Sequence, residues 1–188
     1  MACNVTLTGI ALDCGTNLSG IKAIYLANDA SVGGVTVSDT EISAIDASVG
    51  TPTVVDGEIT VIDASAGTFY EYIPAKNTGS LTKTLTKDES TGVMYYTNEV
   101  VAQFNKMETA KRTEIANIDR GQFKAIVLDN NGKYWFLGKD NYVSATAVTG
   151  QTGAGLDDGN FYTLTLTDIS AELPYEVQAE VIAGIVAE

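Results

Sequence analysis

Histidine is absent from this sequence, and cysteine is scarce. Without histidine, the usual general base for a serine or cysteine nucleophile is missing. The two cysteines, Cys3 and Cys14, are too few for a disulfide-stapled scaffold, and without histidine they are too few for a zinc site. Reduced thiols are the simplest expectation, although the sequence leaves pairing between them open. The sequence therefore predicts a protein that is not an enzyme and that holds no metal or other cofactor.

Long apolar segments and proline-rich linkers are also lacking. No apolar run approaches the roughly 20 residues that a membrane helix requires, so we expect no membrane partner. The first residues have neither the basic region nor the long apolar region of a secretory signal, so we expect no export. Only three prolines are present among 188 residues. We therefore expect a single domain over 1–188, long enough to bury a substantial core.

Basic residues are fewer than acidic residues in this sequence. Against 24 Asp and Glu there are 11 Lys and Arg, which gives a net charge of −13. A protein that binds nucleic acid through its phosphates needs a basic patch, so we expect no sequence-specific nucleic-acid binding. The acidity has two open explanations. It suits a surface that DNA must pass without sticking, because like charges repel over a Debye length of about 8 Å, or it only aids solubility.

The sequence is rich instead in glycine and in short segments where apolar and polar residues alternate. Alternation over 93–104, 142–149 and 161–167 predicts half-buried strands. A glycine-rich loop over 150–160 separates the last two. A strand and not a helix follows this loop, so its glycines do not predict a phosphate site.

A tight hairpin is predicted over 123–138, where Asp129-Asn130-Asn131-Gly132 separates two apolar runs. Its return strand contains the only tryptophan, Trp135, which we expect to be a core or interface anchor. The many short strands and glycines predict a mainly β fold, with an antiparallel β-sandwich or barrel-like core.

One flanking helix is predicted over about 106–119. Asn105 stands at the N-cap position, and Glu108, three residues later, would complete a capping box. Gly121 would end the helix through its tolerance of positive φ. A rival start near Asn98 stays open, because apolar residues from there onward also fit a helical stripe.

A near-duplication lies in the N-terminal half, where the pattern of 37–51 recurs at 54–68. Two units are too few for a solenoid. We therefore expect 37–68 to be a duplicated hairpin-like insertion, either as an antiparallel pair of related strands or as a long N-terminal β-hairpin.

Acidic residues recur within this duplication. They could form turns and a solvated strand face, or a negatively charged face turned to a channel or a neighbouring subunit. Calcium binding is a third alternative, although no EF-hand spacing is present. The candidate channel-facing or subunit-facing acids are Asp39, Glu41, Asp46, Asp56, Glu58 and Asp63.

The C-terminal segment, 174–188, is apolar at intervals after Pro174. Two interpretations are open for this C-terminal arm. It could dock on its own domain, or it could lie on a neighbouring subunit by strand addition.

A wider resemblance is carried by the segment that runs from the capped helix through AIVLDNNGKYWFLGKDN to TGQTGAGLDDGNFYTLTLT. This segment resembles bacteriophage virion structural proteins, of which tail tube or major tail proteins are the nearest group. The resemblance covers roughly 93–175 and, more weakly, the opening MACNVTLTGIALDCGTNLSGIKAIYLAN. The segment from Ile42 to Gly67 has no counterpart in it.

The resemblance implies a β-sandwich with a flanking helix and no catalytic residues. It also implies a structural subunit that assembles with copies of itself into rings or a tube, as a conduit for DNA. Its partners would be other copies and other virion proteins. Its location would be the virion, after synthesis in the bacterial host cytoplasm.

An alternative function belongs to another class. A monomeric β-sandwich binding or adhesion module could recognise carbohydrate or a surface partner through an exposed aromatic platform. The lack of an export signal at the start argues against this alternative.

Overall fold

The computed structural model describes residues 17–29, 36–37, 53–55, 58–61, 69–155, 157–183 and 185–186. Within these residues, two β-sheets pack face to face and a helix of 12 residues lies beside them. The predicted mainly β, sandwich-like fold with a flanking helix is confirmed.

In chain order the elements are β1 (Ile21–Asn28), β2 (Thr36–Val37), β3 (Thr53–Val55), β4 (Glu58–Val61), β5 (Tyr70–Tyr72), β6 (Ser80–Asp88), β7 (Val93–Asn105), α1 (Thr109–Arg120), β8 (Phe123–Asp129), β9 (Tyr134–Leu137), β10 (Ser144–Gln151), β11 (Phe161–Ser170), β12 (Tyr175–Val177) and α2 (Ala179–Ala183). The larger sheet has eight strands in the order β2-β3-β4-β12-β9-β8-β1-β5. The smaller sheet has four, in the order β10-β11-β7-β6. Neighbouring strands are antiparallel except for the β2–β3 and β4–β12 pairs.

The centre of the larger sheet is covered on both faces. Residues 23–27 of β1 and 124–128 of β8 are buried without interruption, which is why their sequences do not alternate. The smaller sheet covers one face and forms the sandwich core with it. Members of this core include Ile24, Leu26, Val100, Val127, Leu164 and Leu166, with Ile118 from α1.

The C-terminal segment covers the other face of the larger sheet. Ile182 is 5% exposed and packs in a cluster with Phe69, Ile126 and Phe136. The backbone N–H of Phe69 donates to the carbonyl oxygen of Ile185 at 2.8 Å. The described residues of the C-terminal arm therefore dock on their own domain, as in the first of the two interpretations.

The flanking helix begins later than the sequence predicts. Asn105 is the last residue of β7, and Glu108 occupies the N-cap position without a side-chain cap hydrogen bond. The cause lies in Asn160, because its carbonyl accepts the N–H of Lys106 at 2.7 Å and its side-chain oxygen accepts the N–H of Met107 at 2.8 Å. Lys106 adopts a φ of +66°, which is not helical. The capping box and the rival start near Asn98 are both wrong.

Gly121 follows the helix for a reason other than positive φ. Its φ is −91°, which any residue can adopt. However, a Cβ built on Gly121 would lie 2.1 Å from the Cζ atom of Phe123. The glycine is needed for this close approach of the Phe123 ring.

We expect Gly121→Ala to lower the free energy of unfolding by about 1–3 kcal/mol, the usual cost of forced overpacking. Urea unfolding followed by circular dichroism measures the change. Gly155→Ala is the matched control, because the nearest atom to its added Cβ is Asp158 Oδ2 at 3.5 Å. The control should stay within about 0.5 kcal/mol of wild type. A Gly121→Ala variant as stable as the control would contradict this explanation.

The predicted hairpin over 123–138 is confirmed as β8 and β9. Asp129 Oδ1 accepts the backbone N–H groups of Asn131 at 2.8 Å and Lys133 at 2.9 Å, and Gly132 supplies a φ of +83°. The predicted strands over 93–104, 142–149 and 161–167 correspond to β7, β10 and β11.

The duplicated segment is described only in part. Thr36 and Val37 pair in parallel with Thr53 and Val54, so the antiparallel pairing expected between the two copies is wrong at these residues. Within the second copy, β3 and β4 pair antiparallel. Most of the hairpin predicted over 37–68 lies outside the described residues.

Candidate assembly surfaces

A long hairpin of the smaller sheet extends beyond the sandwich core. β6 pairs with the first part of β7 along its whole length, from Ser80↔Val101 to Asp88↔Val93. At about 3.3 Å per residue, its nine residues span roughly 30 Å. The tip is the turn over 89–92.

One face of the β6–β7 hairpin carries apolar residues interspersed with two lysines, and it is covered only near its base. Leu81 and Val100 are cross-strand partners that pack in or against the sandwich core. Leu85 and Met94 continue the same face, since side chains alternate along a strand, yet they are 48% and 54% exposed. The described residues of the larger sheet do not cover this part of the hairpin.

The tip of the hairpin is preformed and acidic. Asp88 Oδ1 accepts the backbone N–H of Ser90 at 2.8 Å and its hydroxyl at 2.7 Å. The Ser90 hydroxyl, together with further bonds from Ser90 and Thr91, lowers the pKa of Asp88 to about 2. Glu89 pairs with Lys87 at 3.1 Å and remains mostly exposed. Asp88 is therefore ionised at neutral pH.

β6 is also the outer edge of the smaller sheet. In the parts of the chain that the structure describes, no strand pairs with its outer side. Helix α1 packs beside β10 at the opposite edge. A nine-residue edge with unpaired backbone groups is a site where a strand of another chain can add.

A basic groove lies at the base of the hairpin. It is lined by Leu18, Lys22, Ile73, Pro74 and Lys76, among others, is open to solvent on one side, and has a volume of about 610 Å³. Among the described residues, no carboxylate lines it. We call this surface the Lys22–Lys76 groove.

The Lys22–Lys76 groove and the hairpin tip lie at opposite ends of β6. The carbonyl of Gly79, the residue before β6, accepts the N–H of Ile21 at 3.3 Å, and Ile21 lines the groove. The tip follows Asp88, at the far end of the same strand. The two surfaces are therefore separated by about the length of β6.

Trp135, the predicted anchor, is half-buried and belongs to neither buried cluster. Its Nε1–H donates to Asp129 Oδ2 at 3.1 Å, and Lys83 Nζ lies 3.5 Å from the ring centroid. Burial lowers the pKa of Lys83, and the charge of Asp129 opposes that effect. One ring face of Trp135 is thus covered by a cation from β6.

A buried polar cluster joins β7 to β11. Asn98 and Asp168 are cross-strand partners, 0% and 2% exposed. Asn98 Nδ2 donates to Asp168 Oδ2 at 2.9 Å and to Ser170 Oγ at 3.2 Å. Among the described residues, the Oδ1 atoms of Asn98 and Asp168 find no hydrogen-bond partner. Burial raises the pKa of Asp168, while Asn98, the Gly138 amide and Lys124 act in the opposite direction.

A buried lysine holds the turn next to this cluster. Lys124 Nζ contacts Asp29 Oδ1 at 2.9 Å and donates to the carbonyl of Asn141 at 2.7 Å and to that of Gly138. These three acceptors engage all the donors of an ammonium group. Lys124 therefore fixes the path from β9 to β10 and is not a free nucleophile.

Most of the predicted acidic site lies outside the described residues. Glu58 is the first residue of β4, where it pairs with Val55 and Glu176. The positions outside the described part are Asp39, Glu41, Asp46, Asp56 and Asp63. The structure therefore assigns no common face to the six acids.

The sequence analysis missed two of these surfaces. It did not predict β6, although Leu81, Lys83, Leu85 and Lys87 alternate with threonines. That alternation is the signal that could have found the strand. The Lys22–Lys76 groove joins residues far apart in the chain, so no local pattern indicates it.

We compared the chain with protein-family models, with curated proteins and with solved structures, and none of the three comparisons found a match. In the part of the chain that the structure describes, no helix is long and apolar enough to span a membrane. Within those same residues, no group of three or more Cys, Asp or Glu side chains is placed to hold a metal ion.

Proposed function

We propose that this chain is a non-enzymatic structural subunit of a bacteriophage virion. It assembles with copies of itself into rings or a tube, most readily a tail tube that forms a conduit for DNA, and contacts other virion proteins. The β6–β7 hairpin carries the proposal, because exposed apolar residues on one of its faces lie beyond the core and, among the described residues, no strand pairs with its outer edge. Such surfaces on a soluble subunit are usually covered by another chain.

The fold and the charge support the same proposal. A β-sandwich with one flanking helix is the architecture that the sequence resemblance implies. A net charge of −13 suits a conduit wall, since DNA would be repelled from it and would pass without sticking.

A monomeric carbohydrate-binding or adhesion module is the competing function, and Trp135 is the residue on which it would depend. Stacking of a sugar needs an open aromatic face. Lys83 covers one face of Trp135, and Asp129 holds the indole N–H. The geometry of this tryptophan therefore favours a role in fixing the base of the hairpin.

Assembly is tested with the purified full chain. We expect sedimentation velocity to show species larger than a monomer that grow with protein concentration, and negative-stain electron microscopy to show rings or tubes with a central bore. The same preparation is screened against a glycan array beside Trp135→Ala. A chain that stays monomeric at every concentration, or that binds a glycan through Trp135, would contradict the proposal.

A further inference from the structure

We propose that Asn131 is a site of slow covalent self-modification, and that hydrogen bonds from its side chain to Asn17 and Leu18 hold the reaction back while the chain is folded. The reaction is the loss of ammonia from the side-chain amide, followed by hydrolysis to aspartate or isoaspartate. We call the hydrogen bonds between the Asn131 side chain and residues 17–18 the Asn131 clasp. This inference does not depend on the proposed function, because it concerns the chemistry of a single turn.

The sequence supplies the reactive pair of residues. Asn131 is the only asparagine in this chain that is followed by glycine. Attack on an asparagine side chain by the next backbone nitrogen is least hindered when the next residue is glycine, because glycine has no Cβ. Asn131 and Gly132 are both exposed in the turn between β8 and β9, so water reaches them.

Water is the only reagent that the reaction consumes. Gly132 N gives up its proton to a base in the solvent and forms a bond to Asn131 Cγ. The bond between Cγ and Nδ2 breaks, and the nitrogen leaves as ammonia after it takes a proton from the solvent. Water then opens the cyclic imide at one carbonyl to give aspartate, or at the other to give isoaspartate. Neither step uses an oxidant, a reductant or a cofactor.

The fold engages both reacting groups in other contacts. Asn131 Oδ1 accepts the backbone N–H of Leu18 at 2.7 Å. Asn131 Nδ2 donates to Asn17 Oδ1 and to the carbonyl of Leu18, both at 3.1 Å. The N–H of Gly132 donates to the carbonyl of Asp129 at 3.2 Å. The attack requires the side chain and the attacking nitrogen to leave these partners, so the folded structure slows the reaction.

The restraint is the local contact with residues 17–18 and not the stability of the whole domain. Leu18 is 56% exposed, and Asn17 is also exposed. Separation of these two residues from the turn uncovers little buried surface, so it costs less free energy than unfolding of the sandwich. Opening of the Asn131 clasp is therefore the step that controls the reaction.

The product cannot restore the original contacts. A carboxylate accepts hydrogen bonds and donates none, so the carbonyl of Leu18 loses its donor. Isoaspartate also places an extra methylene in the backbone of the turn. Because Leu18 lines the Lys22–Lys76 groove, the reaction would add a negative charge and loosen the wall at the edge of that groove. The change is irreversible, since the ammonia is lost to the solvent.

Mass spectrometry of the purified full chain measures the reaction. The chain is incubated at mildly alkaline pH, either folded or in concentrated urea, in water labelled with heavy oxygen. Peptide mapping then reports the label that is incorporated at Asn131. Asn131→Gln gives the background, because attack on the longer side chain would have to close a larger ring.

Two pairs of variants test the clasp. Leu18→Pro removes the backbone N–H that Asn131 accepts, and Leu18→Ala is its matched control because it changes the same exposed side chain but keeps that N–H. Asn17→Ala removes another acceptor, and Asn17→Asp is its matched control because it keeps an acceptor oxygen. Circular dichroism verifies that each variant is folded.

We expect wild type to react about tenfold or more slowly when folded than in urea. Folded Leu18→Pro and Asn17→Ala should each react about threefold or more faster than their controls, because each loses a hydrogen bond of the clasp. Gly121→Ala, which weakens the domain away from the clasp, should react like wild type when folded. Asn131→Gln should incorporate no label at this position.

Four results would overturn the proposal. Equal rates for folded and unfolded wild type would mean that the fold does not restrain the reaction. No reaction at Asn131 in urea would mean that it is not a modification site. Folded Leu18→Pro and Asn17→Ala variants that react no faster than their controls would exclude the clasp as the restraint. A Gly121→Ala variant that reacts as fast as these two would assign control to unfolding of the whole domain.

Discussion

Deletion of residues 179–188 is expected to lower the free energy of unfolding by about 5 kcal/mol or more, which is a large part of the 5–15 kcal/mol typical of a domain. Ile182 is 5% exposed in the cluster on the outer face of the larger sheet, and Val181, Ile185 and Val186 pack against that cluster. Each such side chain contributes roughly 1.5–3 kcal/mol when fully buried. Deletion also exposes Phe69, which is now 0% exposed.

Point variants give this prediction a graded form. Ile182→Ala should lower the free energy of unfolding by about 2–4 kcal/mol, as for other large-to-small core changes. Ala183→Ser, at the exposed neighbouring position, should stay within about 0.5 kcal/mol of wild type. Urea unfolding followed by the fluorescence of Trp135, the only tryptophan, measures both.

The same experiment tests the other interpretation of the C-terminal arm. If the arm were laid on a neighbouring subunit in the assembly, its deletion would abolish assembly and leave the stability of the monomer unchanged. That result would contradict the docking of the arm on its own domain. A truncated chain that is both unstable and unable to assemble supports the intramolecular role.

The elements that were predictable from the sequence are those whose signals are local. The β8–β9 hairpin is determined by Asp129 and Gly132, which close the turn through neighbouring backbone groups. The strands β7 and β11 alternate because one face of the smaller sheet meets the core and the other meets solvent.

The elements that were mispredicted depend on contacts between distant residues. The start of α1 is set by Asn160, which is far from Asn105 in the sequence, so the local capping pattern was overridden. The sequence predicted that Gly121 is required for its conformation, but a glycine is required there because the ring of Phe123 leaves no room for a Cβ. In both cases a tertiary contact overrides what the local sequence pattern predicts.

The candidate assembly surfaces were harder to predict for the same reason. Exposed apolar residues such as Leu85 and Ile73 look unremarkable in a sequence, because many isolated apolar residues lie on protein surfaces. They become informative only when the fold shows that Leu85 continues a buried face and that Ile73 lines a basic groove. The acidic repeat differs from these surfaces, because its pattern is clear in the sequence. Five of its six acids, however, lie outside the described residues.

The second large effect is expected at Asp168, where stability should depend on pH. Its carboxylate is 2% exposed, and burial raises its pKa. The folded protein therefore holds a proton on Asp168 more readily than the unfolded chain does. The stability that Asp168 contributes is fully present below the unfolded pKa, about 3.9, and is lost as pH rises through the raised folded pKa.

Asp168→Asn should remove this dependence. Asparagine is close to aspartate in size and keeps an oxygen that can accept the N–H of Asn98, but it carries no buried charge. At pH 7 we expect the free energy of unfolding of the variant to be about 1–3 kcal/mol higher than that of wild type. This is the range for the cost of a buried polar group that lacks a partner. The difference should shrink toward acid pH, where wild-type Asp168 is itself neutral.

Urea unfolding from pH 3.5 to pH 8 in steps of about half a unit, at constant ionic strength, measures the difference between the two proteins. Two charges near Asp168 also contribute to its pKa, because Lys124 lowers it and Asp140 raises it. Asp157→Asn is the matched control, since Asp157 is exposed in the loop over 152–160. Its stability difference from wild type should be flat over this pH window.

A flat difference for Asp168→Asn, or a loss of stability that grows toward neutral pH, would contradict the prediction. It would mean that the carboxylate is stabilised in its ionised form by the donors of Asn98, Gly138 and Lys124 despite its burial. Asn98→Ala separates these cases, because it removes a donor that lowers the pKa of Asp168. The destabilisation by Asn98→Ala increases with pH in both cases, but the pH at which it begins differs: if burial dominates, it begins above the unfolded pKa of about 3.9, and if the donors dominate, it begins below that pH.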